Sequence, residues 1–378
     1  MHKQILLLAA DISDNSLGRV WILADMLAGA AKVEILGLSM KNRVWAPLAS
    51  NAAHWMTWLP GGRLPNVLGT LRLALAVRQN PADILYVCKP RFPNFVAALL
   101  GRRGRRIVLD IDDWEAGCAR GNFSSSRIIN ALAARGISFT QIADWLIPLA
   151  KARTVCNPLF QQRYGGELVP HARSEKAFAP QEDIAALRAQ FGLPQDARLV
   201  MFFGTPHRHK GVDELITAMT LASDKHLHML IAGLDPQMAE YADYARAAEA
   251  ALPGRYSFLH YIPWQDAPQL LACADILVVP QKDTPFTRWG QTPAKLFDAM
   301  AAGKPLVVSD IADTSQLVGE HAWLTPPGDA AAIAHALDDI CADLPAAQAR
   351  GQQLRQRFLE HYSYAKVAPR LRLAVLGT

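Results

Sequence analysis

A run of basic side chains follows a glycine in residues 204–211, whose sequence is GTPHRHKG. A buried apolar segment, residues 199–203, precedes the run, and apolar residues at helical spacing follow it. A strand, a cationic glycine loop and a helix start together favour phosphate binding, because cations and backbone N–H groups meet there. The alternative is a solvated basic loop.

A second signal for phosphate lies in residues 290–310, which read as a loop, a short helix, a turn and a buried strand. Thr292 can cap this helix, and Pro293 fits its first position, where a missing N–H costs nothing. Gly303 suits the left-handed end of the helix. The free N–H groups at the helix start favour phosphate binding. Asp298 lies one to two turns into the helix, where its carboxylate can accept hydrogen bonds from sugar hydroxyls.

The basic loop resembles the diphosphate-binding motif of GT-B glycosyltransferases, specifically the retaining family 4, or group 1. Gly204 and Lys210 match the family's Gly-x5-Lys-Gly pattern. The family often has Arg directly after the first glycine, where this chain has Thr205, and we assign the missing guanidinium to Arg208. The resemblance implies that Lys210 and an arginine hold the donor diphosphate and stabilise charge on the leaving group.

The segment 290–310 resembles the same family's Glu-x7-Glu donor motif, whose helix ends in Ala-Gly-x-Pro. Asp298 stands for the second Glu, and Gly290 stands where the first Glu is expected. The backbone N–H groups of residues 290–292 would then hold the donor sugar. Tyr261 matches a position near the nucleotide base, although core packing would also explain it. The resemblance gives these donor-binding residues: Gly204, Thr205, Tyr261, Gly290, Gln291, Thr292, Pro293, Leu296 and Asp298.

Four acids occur within residues 110–115, at the end of a predicted strand in the first half. The carboxyl ends of strands are where open α/β sheets bind ligands. Asp112 stands where the family often has a His that approaches the donor sugar, so the resemblance gives Asp112 a catalytic position with Asp113 beside it. A capped turn before a helix is the alternative. The Asp-Ile-Asp spacing resembles a metal signature of another glycosyltransferase fold, but we expect no metal, because GT-B enzymes usually act without one.

Other strand ends of the first half carry candidate contacts to the acceptor or the diphosphate. The loop after the first strand resembles a flexible family loop at that place, with an ordinary strand–helix turn as the alternative. A Lys-Pro-Arg strand end would suit an anionic acceptor. Residues 169–173 match the hinge-side segment of the family, where a structural histidine is the alternative. The candidates are Ser16, Gly18, Arg19, Lys89, Asp113 and His171.

The elements that must position these residues alternate between strand and helix in both halves. Such alternation predicts parallel strands with crossover helices, hence doubly wound sheets. Residues 40–64 break the pattern, and a short strand is expected near residues 145–148. With the resemblance, the prediction is an α/β protein of GT-B architecture, with two Rossmann-like domains facing a cleft. The predicted bounds are residues 1–173 for the acceptor domain, 174–361 for the donor domain and 362–378 for a helix that crosses back to the first domain.

The composition indicates a well-buried globular chain, since 51% of its 378 residues are hydrophobic and 19% are charged. A net charge of +5 favours phosphates or an anionic surface modestly and does not indicate nucleic acid. The five cysteines are scattered and odd in number, which is typical of reduced, buried thiols. No apolar stretch reaches the roughly 18–20 residues that span a bilayer, and residues 5–10 read as a strand rather than a signal peptide. We therefore expect a cytoplasmic protein.

Contact with the inner face of a membrane is a further prediction. The basic residues 101–106, together with Trp45, Trp55 and Trp58, could touch an anionic membrane. The alternative is a solvated arginine turn and core tryptophans.

The resemblance implies a retaining glycosyltransferase that moves a sugar from a nucleotide sugar to a glycan, lipid-linked or small-molecule acceptor. Such a reaction would serve the synthesis of cell-surface polysaccharide, lipid or another glycoconjugate, and it needs no cofactor. Two alternatives stay open. One is a nucleotide-sugar-binding protein with weak or no transferase activity, which Gly290 motivates. The other is a nucleotide-sugar epimerase of the same fold.

Overall fold

A computed structural model gives the structure of the chain, and it describes residues 3–51, 56–61, 67–115 and 139–377. The chain forms two compact units. The first contains Met1–His171, Trp289–Gln291 and Val367–Thr378, and the second contains Ala172–Arg288 and Thr292–Lys366. Each unit is built on a parallel sheet with crossover helices, so the predicted α/β class is confirmed.

The sheet of the first unit has seven parallel strands: β1 (Gln4–Ala9), β2 (Lys32–Ser39), β3 (Met56–Pro60), β4 (Ile84–Cys88), β5 (Arg106–Ile111), β6 (Ala152–Val155) and β7 (Glu167–Leu168). Their spatial order is β3-β2-β1-β4-β5-β6-β7, so the direction of winding reverses between β1 and β4. The central strands are apolar runs that are buried along nearly their whole length, as parallel strands covered by helices must be. The reversal makes the sheet doubly wound, as predicted.

The described helices of this unit, apart from its C-terminal one, are α1 (Leu17–Ala28), α2 (Val67–Gln79), α3 (Phe92–Gly101), α4 (Phe139–Leu146) and α5 (Pro158–Tyr164). The apolar sides of α2 and α3 pack together with the sheet in one hydrophobic core. This core holds the carboxyl ends of β4 and β5 in place, where the candidate acids and Lys89 are found.

Two features of the first unit differ from the sequence pattern. Residues 40–64, which break the predicted alternation, contain β3, which pairs with β2 in the register Ile35↔Met56. An edge strand with partly exposed residues lacks the continuous apolar run that marks a central strand. The strand expected at 145–148 is instead the end of α4 and a 3-10 turn. Pro148 lies in this turn and has no N–H to give to a sheet, so the strand forms later, as β6.

The sheet of the second unit has six parallel strands: β8 (Arg198–Phe203), β9 (Leu227–Ala232), β10 (Tyr256–Leu259), β11 (Ile276–Val279), β12 (Leu306–Ser309) and β13 (Trp323–Thr325). Their spatial order is β10-β9-β8-β11-β12-β13. Successive residues of β8 point to opposite faces, so that Met201 joins one hydrophobic core and Phe202 joins the other. The sheet is therefore covered on both faces, and β8 ends at its centre.

The described helices that follow the first unit are α6 (Ile184–Gln190), α7 (Val212–Leu221), α8 (Tyr241–Ala251), α9 (Ala267–Ala272), α10 (Pro285–Gly290), α11 (Ala294–Ala302), α12 (Thr314–Val318), α13 (Ala330–Ala342), α14 (Leu344–His361) and α15 (Tyr364–Leu376). The sequence did not predict α10. Tyr362 leaves the helical conformation and so separates α14 from α15.

The last helix, α15, returns to the first unit from Val367 onward, as the fold prediction requires. Lys3 Nζ donates to the carbonyl oxygen of Leu376 at 2.7 Å, and Arg106 Nη2 donates to that of Ala374 at 2.9 Å. Cations at the carboxyl end of a helix interact favourably with the helix dipole and donate hydrogen bonds to its last carbonyl groups.

None of the helices in the described ranges combines the length and apolar character that crossing a membrane requires. Cys88, Cys156 and Cys273 are buried free thiols, and Cys341 is a partly buried one. Cys118 and Trp55 lie outside the described residues.

Candidate functional site

The predicted phosphate loop connects the end of β8 to α7. Gly204 follows the strand with a φ of +112°, and residues Arg208–Lys210 form one 3-10 turn. The next residue, Gly211, has a φ of +74°, and a Cβ atom there would lie 1.6 Å from the carbonyl oxygen of Pro280. The backbone of the loop therefore packs directly against the segment that follows β11, and only glycine fits at this contact.

Two lysines meet at this loop. Lys210 lies on the 3-10 turn and is largely buried. Lys295, from the first turn of α11, extends over the ring of Phe202 with its Nζ 3.5 Å from the ring centroid. Its Cε lies 3.8 Å from the position that a Cβ of Gly204 would take. The Nζ of Lys295 is buried and has no hydrogen-bond partner among the described residues. Burial and then the charge of Lys210 lower the pKa of Lys295 well below its usual value, although Asp298 opposes them.

Arg208 does not join this pair, and its assignment as the second cation stays a prediction. Its side chain is 72% exposed, and Nη2 donates to Asp243 Oδ2 of α8 at 2.8 Å. Lys295 is the second buried cation instead, and the motif comparison missed it. The sequence did carry a signal for it. A lysine in the first turn of a helix lies at the positive end of the helix dipole, where a cation is unfavourable unless an anion binds nearby.

Two histidines complete the loop and carry little of its charge. The rings of His207 and His209 stack at 5.9 Å, and His209 also meets Phe286 edge-on. Burial, followed by Lys210 and His207, lowers the pKa of His209 to about 3. Burial also lowers the pKa of His207, against the opposing charge of Glu240. Both rings are neutral at pH 7 and add little positive charge to the loop.

The start of α11 differs from the prediction by one residue. The helix begins at Ala294, and Pro293 is the residue before it rather than its first position. Thr292 does not cap the helix, because its hydroxyl donates to both carboxylate oxygens of Asp313 at 3.1 Å. No side chain of the described residues caps the helix start. The N–H of Leu296 donates to the carbonyl oxygen of Pro293 at 2.9 Å, which leaves the N–H groups of Ala294 and Lys295 for a ligand. The left-handed helix end at Gly303, with a φ of +67°, is confirmed.

Asp298 is buried and forms an ion pair with Arg173, which the sequence did not predict. Arg173 Nη2 also donates to the carbonyl oxygen of Ala294 at 3.0 Å. The ribose-binding role of Asp298 stays a prediction. The remaining donor candidates lie as follows: Thr205 and Tyr261 are half-buried after β8 and β10, Leu296 is in the core, Gly290 ends α10 and Gln291 follows it.

In the first unit, Arg19 is not in a flexible loop, and that prediction is corrected. It lies in α1, where Nε and Nη2 donate to the carboxylate of Asp110 at 3.1 and 3.0 Å. Its guanidinium also donates to the carbonyl oxygens of Val169 and Pro170 at 2.8 and 3.0 Å. Arg19 therefore joins the ends of three segments of the unit and has little capacity left for a ligand.

The neighbouring candidates of that loop are also tied into the unit. The hydroxyl of Ser16 donates to Asp14, and Gly18 is buried within α1. His171 is buried at the end of the unit.

The structure does bring together Lys89, Asp112 and Asp113 at the carboxyl ends of β4 and β5. Lys89 has a φ of +66°, which is a strained conformation for a lysine. Its Nζ contacts Asp113 and lies 3.4 Å from Asp112 Oδ2 and 3.6 Å from Glu115 Oε1. Arg91 Nε donates to Glu115 Oε2 at 3.0 Å. The acids near Lys89 are thus spaced around an ammonium group.

Asp112 is the unusual member of this group. It is buried, and its Oδ1 has no hydrogen-bond partner in the described ranges. Burial, against the opposing charge of Lys89, raises the pKa of Asp112 to about 7. Within the same ranges, no three His, Cys, Asp or Glu side chains are grouped to hold a metal ion.

Comparison with known proteins agrees with both the fold and the donor-side motifs. Residues 197–343 match the family model of glycosyl transferases group 1. Over 207 residues, which are 52% of the chain, the sequence is 27% identical to a 2-deoxystreptamine glucosyltransferase of Streptomyces kanamyceticus. The matched segment covers 51% of that relative, so the chain spans about half the length of the curated relatives it matches.

Two solved structures resemble the whole chain. HepE of Anabaena, solved in complex with UDP and glucose, has a TM-score of 0.77 and 16% identity, covering 100% of both chains. Sucrose-phosphate synthase from Thermosynechococcus elongatus has a TM-score of 0.74 and 20% identity, covering 98% of this chain and 97% of the other. At such identities the likeness shows the GT-B fold alone. The family match concerns the second unit, whose residues 197–343 resemble the group 1 glycosyl transferases.

Proposed function

We propose that this chain, a GT-B protein whose residues 197–343 belong to the group 1 glycosyltransferases, transfers a sugar from a nucleotide-sugar donor to an acceptor. The observation that carries the proposal is the phosphate site of the second unit. There the glycine loop with Lys210 closes against Pro280 beside the uncapped start of α11. Such a site suits the diphosphate of a nucleotide sugar, because cations and free N–H groups stabilise phosphate oxygens.

In the proposed reaction the bond between the sugar C1 and the diphosphate oxygen breaks, and the diphosphate leaves with the electron pair. The acceptor oxygen forms the new bond to C1, and its proton passes to an oxygen of the leaving diphosphate. Lys210 and the start of α11 stabilise the negative charge that grows on the leaving group. No protein nucleophile is required, and we assign the reaction to retention of configuration, following the resemblance to family 4. Asp112, Asp113 and Lys89 are the acceptor-side candidates in the first unit.

A transfer assay with the full chain tests the proposal. UDP-, GDP-, ADP- and dTDP-sugars are incubated with glycan, lipid-linked and small-molecule acceptors, and released nucleotide and glycosylated product are measured. The expected result is product from one donor, with the anomeric configuration of that donor by NMR. A product of inverted configuration would refute retention alone.

The two alternatives give different results in the same assay. A nucleotide-sugar-binding protein, which Gly290 motivates, would bind a donor tightly with no turnover for any acceptor. An epimerase would interconvert the free nucleotide sugar when no acceptor is added. Either result, or the absence of nucleotide binding, would overturn the proposal.

We also propose that α2 contacts an anionic membrane surface. Val67, Leu68, Leu71 and Leu75 lie on one side of this helix and are 48–62% exposed, which is unusual for four aliphatic side chains in one helix. Trp45 and Trp58, which the sequence suggested for this contact, are half-buried instead. We therefore assign the apolar part of the proposed contact to α2 instead of the tryptophans.

The charges around α2 favour an anionic membrane as the partner. Arg72 and Arg78 of the helix are exposed, and so are Arg102 and Arg103 in the turn after α3. Arg105 fixes that turn beside the end of α2, because its Nη2 donates to the carbonyl oxygens of Val77 and Gly101 at 2.6 and 2.8 Å. An apolar helix side with arginines around it suits the boundary between acyl chains and acidic headgroups.

Vesicle sedimentation tests this contact. The chain should bind vesicles of anionic phospholipid more than zwitterionic ones, and Leu71→Gln with Leu75→Gln should reduce the bound fraction. Leu221→Gln, at a leucine that is 56% exposed in the second unit, is the matched control. Unchanged binding of the double variant would refute the membrane contact. Loss of self-association in that variant, measured by light scattering, would identify a second copy as the partner instead.

A further inference from the structure

Lys295 is a buried cation for which the described part of the chain provides no hydrogen-bond acceptor. Its Nζ lies over the face of Phe202, at 3.5 Å from the ring centroid, and it is shielded from solvent. The face of an aromatic ring attracts an ammonium group, but this attraction is weaker than the cost of burying an unpaired charge. A side chain in this position destabilises the folded protein unless an anion enters the site.

The surroundings of Lys295 define the anion that would fit. It points along the glycine loop, since its Cε lies 3.8 Å from the Cβ position of Gly204. Lys210 acts on it electrostatically from the same loop. Lys295 also belongs to the first turn of α11, whose N–H groups have no side-chain cap. Two cations and a helix start at one loop suit a group with several negative oxygens, such as a diphosphate.

Thr205 is uncharged, so a second cation for the diphosphate has to come from another residue. The related donor motif usually has an arginine directly after the first glycine, and this chain has a threonine there. Arg208 is directed to Asp243 and does not replace it. Lys295 reaches the same loop from a helix rather than from the loop itself.

We infer that Lys295 binds the donor diphosphate together with Lys210, in place of the arginine that Thr205 replaces, and that it takes up a proton as the diphosphate enters. This inference rests on the proposed function and adds a donor-binding residue and a proton to it. The groups that face Lys295 are Lys210, His207 and His209 from the loop and Asp298 from its own helix. Burial and the charge of Lys210 lower the pKa of Lys295 in the free protein, and the negative charge of a bound diphosphate raises it again.

Calorimetric titration of the full chain with UDP tests the inference, with ADP, GDP and dTDP tried if UDP does not bind. Lys295→Met should weaken binding at least about tenfold, as the loss of a charge-assisted contact does. Titration at pH 8 in two buffers of different ionisation enthalpy should show proton uptake by the wild-type chain and less by the variant. Lys225→Met is the control and should change neither quantity. This exposed lysine precedes β9, near the start of β8, whereas the glycine loop follows the end of β8.

A relocated charge distinguishes a ligand contact from a purely structural role. Adding Thr205→Arg to Lys295→Met restores the arrangement of the related motif and should recover part of the lost affinity. Lys295→Met should also raise the unfolding temperature in the absence of ligand, because it removes an amine that is buried without a hydrogen-bond acceptor in the described part of the chain. Unchanged affinity of Lys295→Met, or undiminished proton uptake, would overturn the inference and leave the proposed transferase activity intact. Failure of the wild-type chain to bind any of the four nucleotides would instead count against the proposed function.

Discussion

Arg173 and Asp298 form a bidentate ion pair inside the second unit, with Nε 2.5 Å from Oδ1 and Nη2 2.7 Å from Oδ2. The carboxylate occupies the position of the second acid of the donor motif, yet both of its oxygens already accept a bond from a buried arginine. The same arginine donates to the carbonyl oxygen of Ala294 at the start of α11. Arg173 therefore fixes both the helix that carries the donor motif and the acid within it.

Arg173→Met should destabilise the second unit by about 3–5 kcal/mol, because it leaves the Asp298 carboxylate buried without its partner. Urea unfolding followed by circular dichroism measures the loss. Arg173→Met with Asp298→Leu removes both charges and should recover most of the stability. A double variant no more stable than the single one would show that the arginine acts through its other contacts.

Lys210→Ala should abolish most turnover of the nucleotide sugar and leave the fold intact. In the proposed reaction the lysine stabilises charge on the leaving diphosphate, and removal of one such contact costs about a hundredfold or more in rate. Steady-state kinetics gives the rate, and the circular dichroism spectrum checks the fold. Lys225→Ala, an exposed lysine whose Nζ donates to the carbonyl oxygen of Ala222, is the matched control. Near wild-type turnover in Lys210→Ala would show that the donor site is misassigned.

Asp112 should make the stability of the chain fall between about pH 4 and pH 7. Its pKa is about 7 in the folded chain, whereas an aspartate in an unfolded chain has a pKa of about 3.9. Since the folded state holds the proton more tightly, stability from this group is complete below the unfolded pKa and is lost as pH rises through the folded pKa. Asp112→Asn, which does not titrate, should gain stability relative to wild type at pH 8 compared with pH 4.5.

Urea unfolding of both proteins at the two pH values measures this difference. Titration of groups common to both chains, such as Glu115, cancels in the comparison. An Asp112→Asn curve that runs parallel to the wild-type curve across this range would contradict the raised pKa.

Gly211→Ala should destabilise the chain by about 4 kcal/mol or more, as severe steric conflicts in a packed backbone do. The added Cβ would lie 1.6 Å from the carbonyl oxygen of Pro280. Gly254→Ala is the control, because Gly254 has a similar φ of +71° but no atom within 4 Å of the new Cβ. Backbone strain alone should cost the control roughly 1–2 kcal/mol. Equal midpoints of thermal unfolding for the two variants would show that the loop can move away from Pro280.

The sequence by itself determined the alternation of strands and helices, because a parallel strand buried on both faces must be a continuous apolar run. For that reason the buried strands β5, β11 and β12 could be predicted from the sequence. The glycine loop after β8 and the helix end at Gly303 could also be predicted from the sequence, because the backbone there has a positive φ that favours glycine. The edge strand β3 was not, because a strand with one neighbour and a partly exposed surface needs no apolar run.

Only the tertiary structure decided which charged side chains meet, because ion pairs and cation clusters join residues that are far apart in sequence. It paired Arg19 with Asp110 and Arg173 with Asp298, directed Arg208 away from the phosphate loop, and brought Lys295 to Lys210 across 85 positions. Local pattern identifies a loop that can bind phosphate. The packing of α11 against β8 determines which cation reaches it.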